Sequence, residues 1–121
     1  MILVDTSIWI THLRKGDKQL EELLMSAQVM CHPFIIGELA CGNIKNRNRI
    51  ISLLTALPMA QEVDFDEFLF FIDQNHLMRK GIGFVDIHLL ASAKLAGVKL
   101  WTADKRLASA ADQLILSHTA D

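Results

Sequence analysis

The sequence has few of the residues that cross-link small secreted domains or bind zinc. Its 121 residues include two cysteines, two prolines and no tyrosine. Two cysteines do not make a disulfide framework, and we interpret Cys31 and Cys41 as buried thiols of a protein in a reducing cytoplasm. The histidines show no closely spaced pair that would bind zinc, and we interpret all five as packing or surface residues: His12, His32, His76, His88 and His118.

Long hydrophobic runs are also absent, although the overall hydrophobic content is high. No apolar run approaches the roughly 20 residues of a membrane-spanning helix. The first apolar run stops at Asp5 and follows no basic residue, so the sequence predicts no signal peptide and a cytoplasmic location. We expect one domain, residues 1–121, with enough core to fold without disulfides. The hydrophobic content of 51% and the mean hydropathy of +0.28 favour further burial against a subunit or partner.

Four acidic residues stand out because each lies in an otherwise apolar stretch. Asp5 ends the first apolar run, Glu38 and Asp86 interrupt apolar stretches, and Asp104 follows the apolar segment that begins at Val98. Acids on buried faces must be paired, protonated or bound to a cation. Without these four, the sequence has ten acidic and twelve basic residues, so a mildly basic remainder surrounds an acidic pocket.

The chain alternates short strands with helices and has no internal repeat or low-complexity linker. We predict strands at Ile2–Asp5, Val29–Cys31, Gln61–Val63, Lys99–Trp101 and Leu114–Leu116. We predict helices over Thr6–Leu13, Lys18–Ala27, Pro33 to about Gly42, Asn46–Leu57, Asp64 to about Lys80, and Val85–Ala96. This alternation is typical of an α/β fold, in which helices cover both faces of a parallel sheet.

The predicted sheet brings the four acids to one edge. Asp5 and Asp104 follow the carboxyl ends of strands, and Glu38 and Asp86 lie on helices entered from that edge, where open α/β sheets bind ligands. Helical spacing predicts that Glu38 and Asp86 point toward apolar neighbours rather than water. Two carboxylates about 4 Å apart repel by roughly 4 kcal/mol at an effective dielectric constant of 20, so a group of four indicates a cation. Oxygen ligands favour Mg²⁺ or Mn²⁺ over zinc.

Each acid taken alone also has a structural explanation. Asp5 or Asp104 could cap the helix that follows, and Glu38 or Asp86 could be satisfied by a basic partner or by backbone donors. A Mg²⁺-dependent phosphoacceptor domain is disfavoured because Thr and Ser follow Asp5 where that class needs acids. A non-catalytic module that binds RNA or protein remains the other alternative.

The residues around the four acids form distinct segments: Met1-Ile-Leu-Val-Asp5-Thr-Ser-Ile-Trp-Ile, Gly37-Glu38-Leu39, Gly83-Phe-Val-Asp86-Ile-His-Leu-Leu-Ala-Ser-Ala and Trp101-Thr-Ala-Asp104-Lys-Arg-Leu. In order, spacing and flanking residues they resemble the PIN-domain ribonucleases. Within that family they are most similar to the VapC toxins of bacterial and archaeal toxin–antitoxin pairs. The resemblance extends over nearly the whole chain.

This resemblance implies a fold, an activity and partners. The fold is a three-layer α/β/α PIN-like fold with a central parallel sheet of four or five strands. The activity is Mg²⁺- or Mn²⁺-dependent endoribonuclease cleavage of RNA by the toxin of a type II pair. The implied partners are a second copy of the chain in a homodimer and a VapB-type antitoxin that inserts a basic side chain into the acidic pocket. The resemblance also makes Ser7 and Thr102 supporting hydroxyl groups.

By the same match, the catalytic residues are the four acids. Our hypothesis is that Asp5 and Asp86 hold the main metal, while Asp104 and Glu38 complete the site or orient water. The metal would lower the pKa of a bound water and neutralise charge on the leaving oxygen.

Basic residues near the acids are candidates for binding the RNA backbone. The candidates are Lys45, Arg47, Arg49, Lys105 and Arg106, with Arg79 and Lys80 in addition. The alternative for each group is a solvated helix face. Because aromatic residues are few and we interpret the Trp and Phe side chains as mostly buried, we expect recognition of RNA shape rather than of stacked bases.

The predicted helix that begins at Asp64 is apolar on nearly all sides. Phe65, Phe68, Leu69 and Ile72 form one stripe, and further apolar residues fall on other faces. Such a helix is buried within the monomer or covers a dimer or antitoxin contact, and the family resemblance favours a partner for part of it.

Overall fold

Three short parallel strands form the centre of the fold. The computed structural model describes residues 1–119. Strands β1 (Ile2–Val4), β2 (Val29–Met30) and β3 (Lys99–Trp101) pair in the order β2-β1-β3, and both pairings are parallel. In β1 the consecutive residues Leu3 and Val4 are both fully buried. Because neighbouring strand residues point to opposite faces, both faces of this central strand are covered by helices.

Seven helices connect and cover the strands within the described residues. They are α1 (Thr6–Lys15), α2 (Lys18–Met25), α3 (Pro33–Cys41), α4 (Arg47–Thr55), α5 (Phe65–Asn75), α6 (Phe84–Ala96) and α7 (Lys105–Gln113). Local signals fix their starts. The side chain of Asp17 accepts a hydrogen bond from the Leu20 amide, and Asp64 and Glu67 form a reciprocal capping box at the start of α5. The predicted α/β class and its three-layer arrangement are therefore confirmed.

The two predicted edge strands do not form at the predicted residues. Leu114 and Ile115 lie in a turn instead, where Ile115 has a positive φ of 58°. One isolated parallel bridge forms near each predicted strand, Met59 with Cys31 and Ser117 with Leu100. The predicted strand at Gln61–Val63 does not form, and the carbonyl of Gln61 accepts a hydrogen bond from the Ser92 hydroxyl. The sheet of the described residues thus has three strands rather than four or five.

Helix α5 ends earlier than predicted. Its last residue is Asn75 rather than Lys80, because His76 adopts a left-handed conformation with φ of 54°. Arg79 and Gly81 also have positive φ values, 65° and 74°. The chain between α5 and α6 is therefore a loop, and Lys80 of this loop lies near Lys105 and Arg106 at the start of α7.

The core is centred on α6 and the sheet. Seven consecutive residues of α6, Ile87–Ala93, are buried. Cys31 is buried as predicted, but Cys41 is exposed at the end of α3, which corrects our interpretation of both as buried thiols. In residues 1–119 no helix has the length and apolar character needed to cross a bilayer.

Candidate active site

The carboxyl ends of β1 and β3 meet at one edge of the sheet. Asp5 directly follows β1, and its amide donates a 2.9 Å hydrogen bond to the carbonyl of Trp101, the last residue of β3. The loop from Thr102 to Asp104 therefore lies beside Asp5. The ends of two adjacent parallel strands thus bring together residues almost a hundred positions apart.

Asp5 is the only buried member of the four acids, with 6% of its surface exposed. Its Oδ2 accepts hydrogen bonds from Ser7 Oγ at 2.8 Å and from Thr102 Oγ1 at 2.7 Å. Although it occupies the N-cap position of α1, its side chain makes no capping hydrogen bond. The alternative explanation of Asp5 as a helix cap does not describe its contacts.

The two hydroxyl groups also shape the neighbouring loop. Ser7 Oγ accepts a hydrogen bond from the Ala103 amide at 3.0 Å, and Thr102 Oγ1 accepts one from the Asp104 amide at 3.0 Å. Ser7 and Thr102 therefore hold the carboxylate of Asp5 and the loop that leads to Asp104 in one hydrogen-bonded unit.

Asp86 lies in the first turn of α6 and is half-buried. Its Oδ2 accepts a 3.1 Å hydrogen bond from the Gly83 amide. Burial raises the pKa of Asp86 above its ordinary value, and the negative charges of Asp5 and Asp104 raise it further, while the Gly83 hydrogen bond lowers it. The charges of two predicted acids, Asp5 and Asp104, thus act on a third, Asp86.

Asp104 has a structural role as a helix cap in addition to its place among the acids. It is exposed and caps α7, since its Oδ1 accepts a 3.0 Å hydrogen bond from the Leu107 amide. The helix-cap explanation is therefore correct for Asp104. Its charge nonetheless acts on Asp86.

Glu38 is joined to the group through a neighbour of Asp5. Thr6 Oγ1 donates a 2.7 Å hydrogen bond to Glu38 Oε1. The predicted orientation of Glu38 toward apolar neighbours is wrong, because its side chain is exposed. Ile35 and Leu39 form the buried stripe of α3, and Glu38 lies about 100° around the helix from Leu39.

All four carboxylates share one pattern of contacts. Each accepts hydrogen bonds on a single oxygen, from the donors just described. The second oxygen of each has no hydrogen-bond or ion-pair partner within residues 1–119. The fold therefore orients each carboxylate through one oxygen and leaves the other oxygen available.

This donor set fits a hard cation that keeps part of its water shell. Carboxylate oxygens are ligands of Mg²⁺ and Mn²⁺. In the described part of the chain, no three acidic, histidine or cysteine side chains converge closely enough to make a complete ligand set. Mg²⁺ typically binds one or two carboxylates and retains several waters, so it does not need a larger set of protein ligands.

The predicted RNA-binding residues fall on two sides of the acids. Lys45 lines a cleft of about 740 Å³ together with Arg14 and Glu38. Arg47 and Arg49 are exposed on α4, and Arg47 Nε donates a 3.1 Å hydrogen bond to the carbonyl of Ala40, which joins α4 to α3. On the other side, Lys105 and Arg106 are exposed in the first turn of α7.

Two contributors were missing from the sequence prediction. Thr6 binds Glu38, a pairing across 32 residues for which the sequence carries no signal. The Gly83 amide binds Asp86, and here the spacing was informative, since an acid three residues after an N-cap commonly reaches back to the cap amide.

Comparisons with known proteins identify the family and the fold. The family model described as PIN domain matches residues 2–113. The chain is 48% identical over 111 residues to Ribonuclease VapC32 of Mycobacterium tuberculosis, in strains CDC 1551 / Oshkosh and ATCC 25618 / H37Rv, and the match covers 91% of this chain and 90% of that protein. The crystal structure of PAE2754 from Pyrobaculum aerophilum shares the fold at a TM-score of 0.64 with 16% identity, over 90% of this chain and 83% of that one.

The acidic edge of the sheet and these matches define the class of the protein, and the chain belongs to the PIN-domain family. Within that family it is a member of the VapC group of ribonucleases. The family membership inferred from the acid-bearing segments is thereby confirmed.

Proposed function

We propose that this chain is a divalent-metal-dependent endoribonuclease and the toxin of a type II toxin–antitoxin pair, with residues 1–121 forming one PIN domain. One observation carries the metal-dependent part. Four carboxylates at the edge of the sheet are each oriented through one oxygen and leave the other oxygen without a partner in residues 1–119. The 48% identity to a protein named as a ribonuclease supports RNA as the substrate.

Asp5 and Asp86 would hold the metal. Asp5 is preorganised by Ser7 and Thr102, and Asp86 by the Gly83 amide. When bound, Mg²⁺ or Mn²⁺ supplies an activated water and offsets negative charge on the phosphodiester. Asp104 and Glu38 would act from the rim, where their second oxygens would orient water.

The electrostatics support this assignment. The pKa of Asp86 is raised first by burial and then by the charges of Asp5 and Asp104. Gathering like charges costs free energy in the absence of a counter-ion, and a divalent cation removes that cost. Residues kept at such a cost are typical of functional sites.

The RNA backbone would lie along the basic residues on either side of the acids. Lys45 and Arg49 serve one side, Lys105 and Arg106 the other, and Arg47 has a partly structural role because of its hydrogen bond to Ala40. These contacts would give affinity that falls with salt and carry little base specificity.

The exposed part of α5 would form the homodimer contact. Phe65 and Phe70 have 63% and 67% of their surface exposed, and Leu69 has 44%. Phe70 lines a groove of about 530 Å³ with Leu95 of α6. Phe68 and Phe71 are buried, so the helix divides its apolar residues between the core and this surface. Contiguous exposed apolar groups are typical of subunit contacts. The antitoxin would neutralise the free carboxylate oxygens with a basic side chain.

The experiment compares wild-type protein with the Asp86→Asn variant on total tRNA and on intact ribosomes, each with Mg²⁺, Mn²⁺ or chelator. The proposal expects discrete products from the wild type plus metal and none from the variant. Equal cleavage by both proteins would refute the assignment of Asp86. If neither protein cleaves, the chain is either a toxin whose target is absent from these substrates or a non-catalytic binding module, and growth arrest on expression distinguishes the two.

A further inference from the structure

A small basic cleft lies beside the acidic group. Its volume is about 200 Å³, and it is lined by Lys80, Lys105, Arg106, Ser109, Ala110 and Gln113. The three basic side chains are exposed, and none of them forms an ion pair with a carboxylate in residues 1–119. Three positive charges therefore share one concave surface without a protein anion.

The fold brings these charges together from two distant segments. Lys105 and Arg106 begin α7, whereas Lys80 belongs to the loop before α6. The early end of α5 and the positive φ of Gly81 turn this loop toward α7. In the sequence, the pair Arg79 and Lys80 and the pair Lys105 and Arg106 are separate candidates for RNA binding. Nothing in the sequence indicates that the two pairs lie close together.

A glycine at position 81 favours this approach. A Cβ atom at this position would lie 2.9 Å from both Cδ and Nη1 of Arg106, closer than side-chain atoms ordinarily come. The φ of +74° at Gly81 also favours glycine. The guanidinium of Arg106 therefore rests against bare backbone next to Lys80.

The same two segments also build the acidic site. Three residues after Lys80, the Gly83 amide donates to Asp86, and Lys105 directly follows Asp104. A ligand that spans the basic cleft and the acidic site must carry negative charge in the cleft and present a reactive group to the acids. A polyanion with regularly repeated charges meets both requirements.

We propose that this cleft binds a backbone phosphate of the RNA that neighbours the phosphodiester at the acids, an inference that rests on the proposed function. The cleft offers two ammonium groups, a guanidinium and the Ser109 hydroxyl, all of which donate to phosphate oxygens. Contacts of this kind set the position of a nucleic acid and do not read its bases. The cleft therefore fixes which bond reaches the acids.

The test measures binding of fluorescein-labelled tRNA by anisotropy at salt concentrations from about 50 to about 300 mM, a range in which phosphate contacts weaken. Chelator is present throughout, so that cleavage does not interfere. The test variant is Lys80→Gln/Lys105→Gln/Arg106→Gln. The matched control, Lys15→Gln/Lys18→Gln/Lys99→Gln, removes three exposed charges elsewhere. Lys99 begins β3 and so lies at the opposite end of that strand from the acids.

We expect the slope of log affinity against log salt to fall by about one unit per phosphate contact removed in the test variant, and to stay near the wild-type value in the control. The charge-preserving variant Lys105→Arg/Arg106→Lys should keep most of the slope. Equal slopes for the test and control variants would overturn the proposal that the cleft binds phosphate. The proposed nuclease activity would be unaffected by that result, because the cleavage assay tests it separately. Absence of tRNA binding by the wild type would also overturn phosphate binding by the cleft. If the same preparation showed no metal-dependent cleavage either, the proposed nuclease function would fail as well.

Discussion

Thr102 Oγ1 donates a 2.7 Å hydrogen bond to Asp5 Oδ2 across 97 residues of sequence. The same oxygen of Thr102 accepts from the Asp104 amide at 3.0 Å. One hydroxyl therefore orients the buried acid of β1 and the turn that presents the acid of α7. This contact makes Thr102 a positioning residue for two carboxylates.

Replacing Thr102 with valine should impair cleavage without unfolding the protein. Thr102→Val removes the donor to Asp5 and the acceptor for the Asp104 amide, and residues that orient metal ligands typically contribute 10- to 100-fold to metal affinity or activity. We expect a loss of about that size, with a higher Mg²⁺ concentration needed for half-maximal cleavage. Thr55→Val, at an exposed residue of α4, is the control and should leave cleavage and its Mg²⁺ dependence unchanged. Identical Mg²⁺ titrations for both variants would argue against the role of Thr102.

Asp86→Asn should abolish cleavage and raise the melting temperature of the metal-free protein. The raised pKa means that the charged form of Asp86 is disfavoured by folding, so at neutral pH its ionisation lowers the free energy of unfolding. Asparagine keeps an oxygen for the Gly83 amide and removes the charge. Thermal melts with chelator and with Mg²⁺ test this. Mg²⁺ should stabilise the wild type and have a smaller effect on the variant, and a lower metal-free melting temperature in the variant would contradict the explanation.

His32 should make the protein sensitive to acid. Burial, together with the charge of His88, lowers the pKa of His32 to about 4. Between pH 6.5 and 4 the unfolded chain therefore binds a proton that the folded chain does not. The associated stability is fully present above about pH 6.5 and falls by roughly 3 kcal/mol as the pH drops to 4.

Urea unfolding at several pH values checks this expectation. In the folded chain His32 Nδ1 accepts from the Phe34 amide at 3.0 Å, and Nε2 lies 3.1 Å from Ser92 Oγ. His32→Asn keeps an acceptor for the cap of α3 and cannot titrate in this range. The variant should be less stable overall and lose less stability between pH 6.5 and 4. Parallel pH profiles would assign the acid sensitivity to other groups.

The proposed dimer surface is testable through one exposed aromatic residue. Phe70→Glu places a charge on the most exposed phenylalanine of α5, where it should dissociate the dimer and leave the fold of the monomer intact. Light scattering after size exclusion gives the mass of each form. Met25→Glu, at a side chain 89% exposed on α2, is the matched control and should remain dimeric. A monomeric wild type, or a dimeric Phe70→Glu, would rule out this surface.

The burial of the aromatic side chains differs in part from the prediction. Trp9 and Trp101 are buried as we interpreted them, but Phe65, Phe70 and Phe84 are exposed. Phe84 lies two residues before Asp86 and packs with Phe34, Phe68 and His88. Three of the six phenylalanines are thus exposed, so our interpretation of the Phe side chains as mostly buried is wrong for these three.

The sequence by itself determined the features that depend on residues close together in the chain. Helix starts at Asp17 and Asp64 follow from side chains that bond amides three residues away. The alternation of strands and helices, and the position of Asp5 and Asp104 just after strands, follow from apolar runs and their breaks. The segments around the acids were sufficient to identify the family.

The tertiary structure decided what depends on packing between distant segments. It made Glu38 exposed, because the buried stripe of α3 runs through Ile35 and Leu39 instead. It replaced the two predicted edge strands by isolated bridges at Met59 and Ser117, and Ile115 is left-handed where one of those strands was predicted. It joined Lys80 to Arg106 across the bare backbone of Gly81. Local patterns indicate where helices and strands begin. The face that a residue turns to the core, and the neighbours it meets there, depend on how the elements pack, and that is settled only when the whole chain folds.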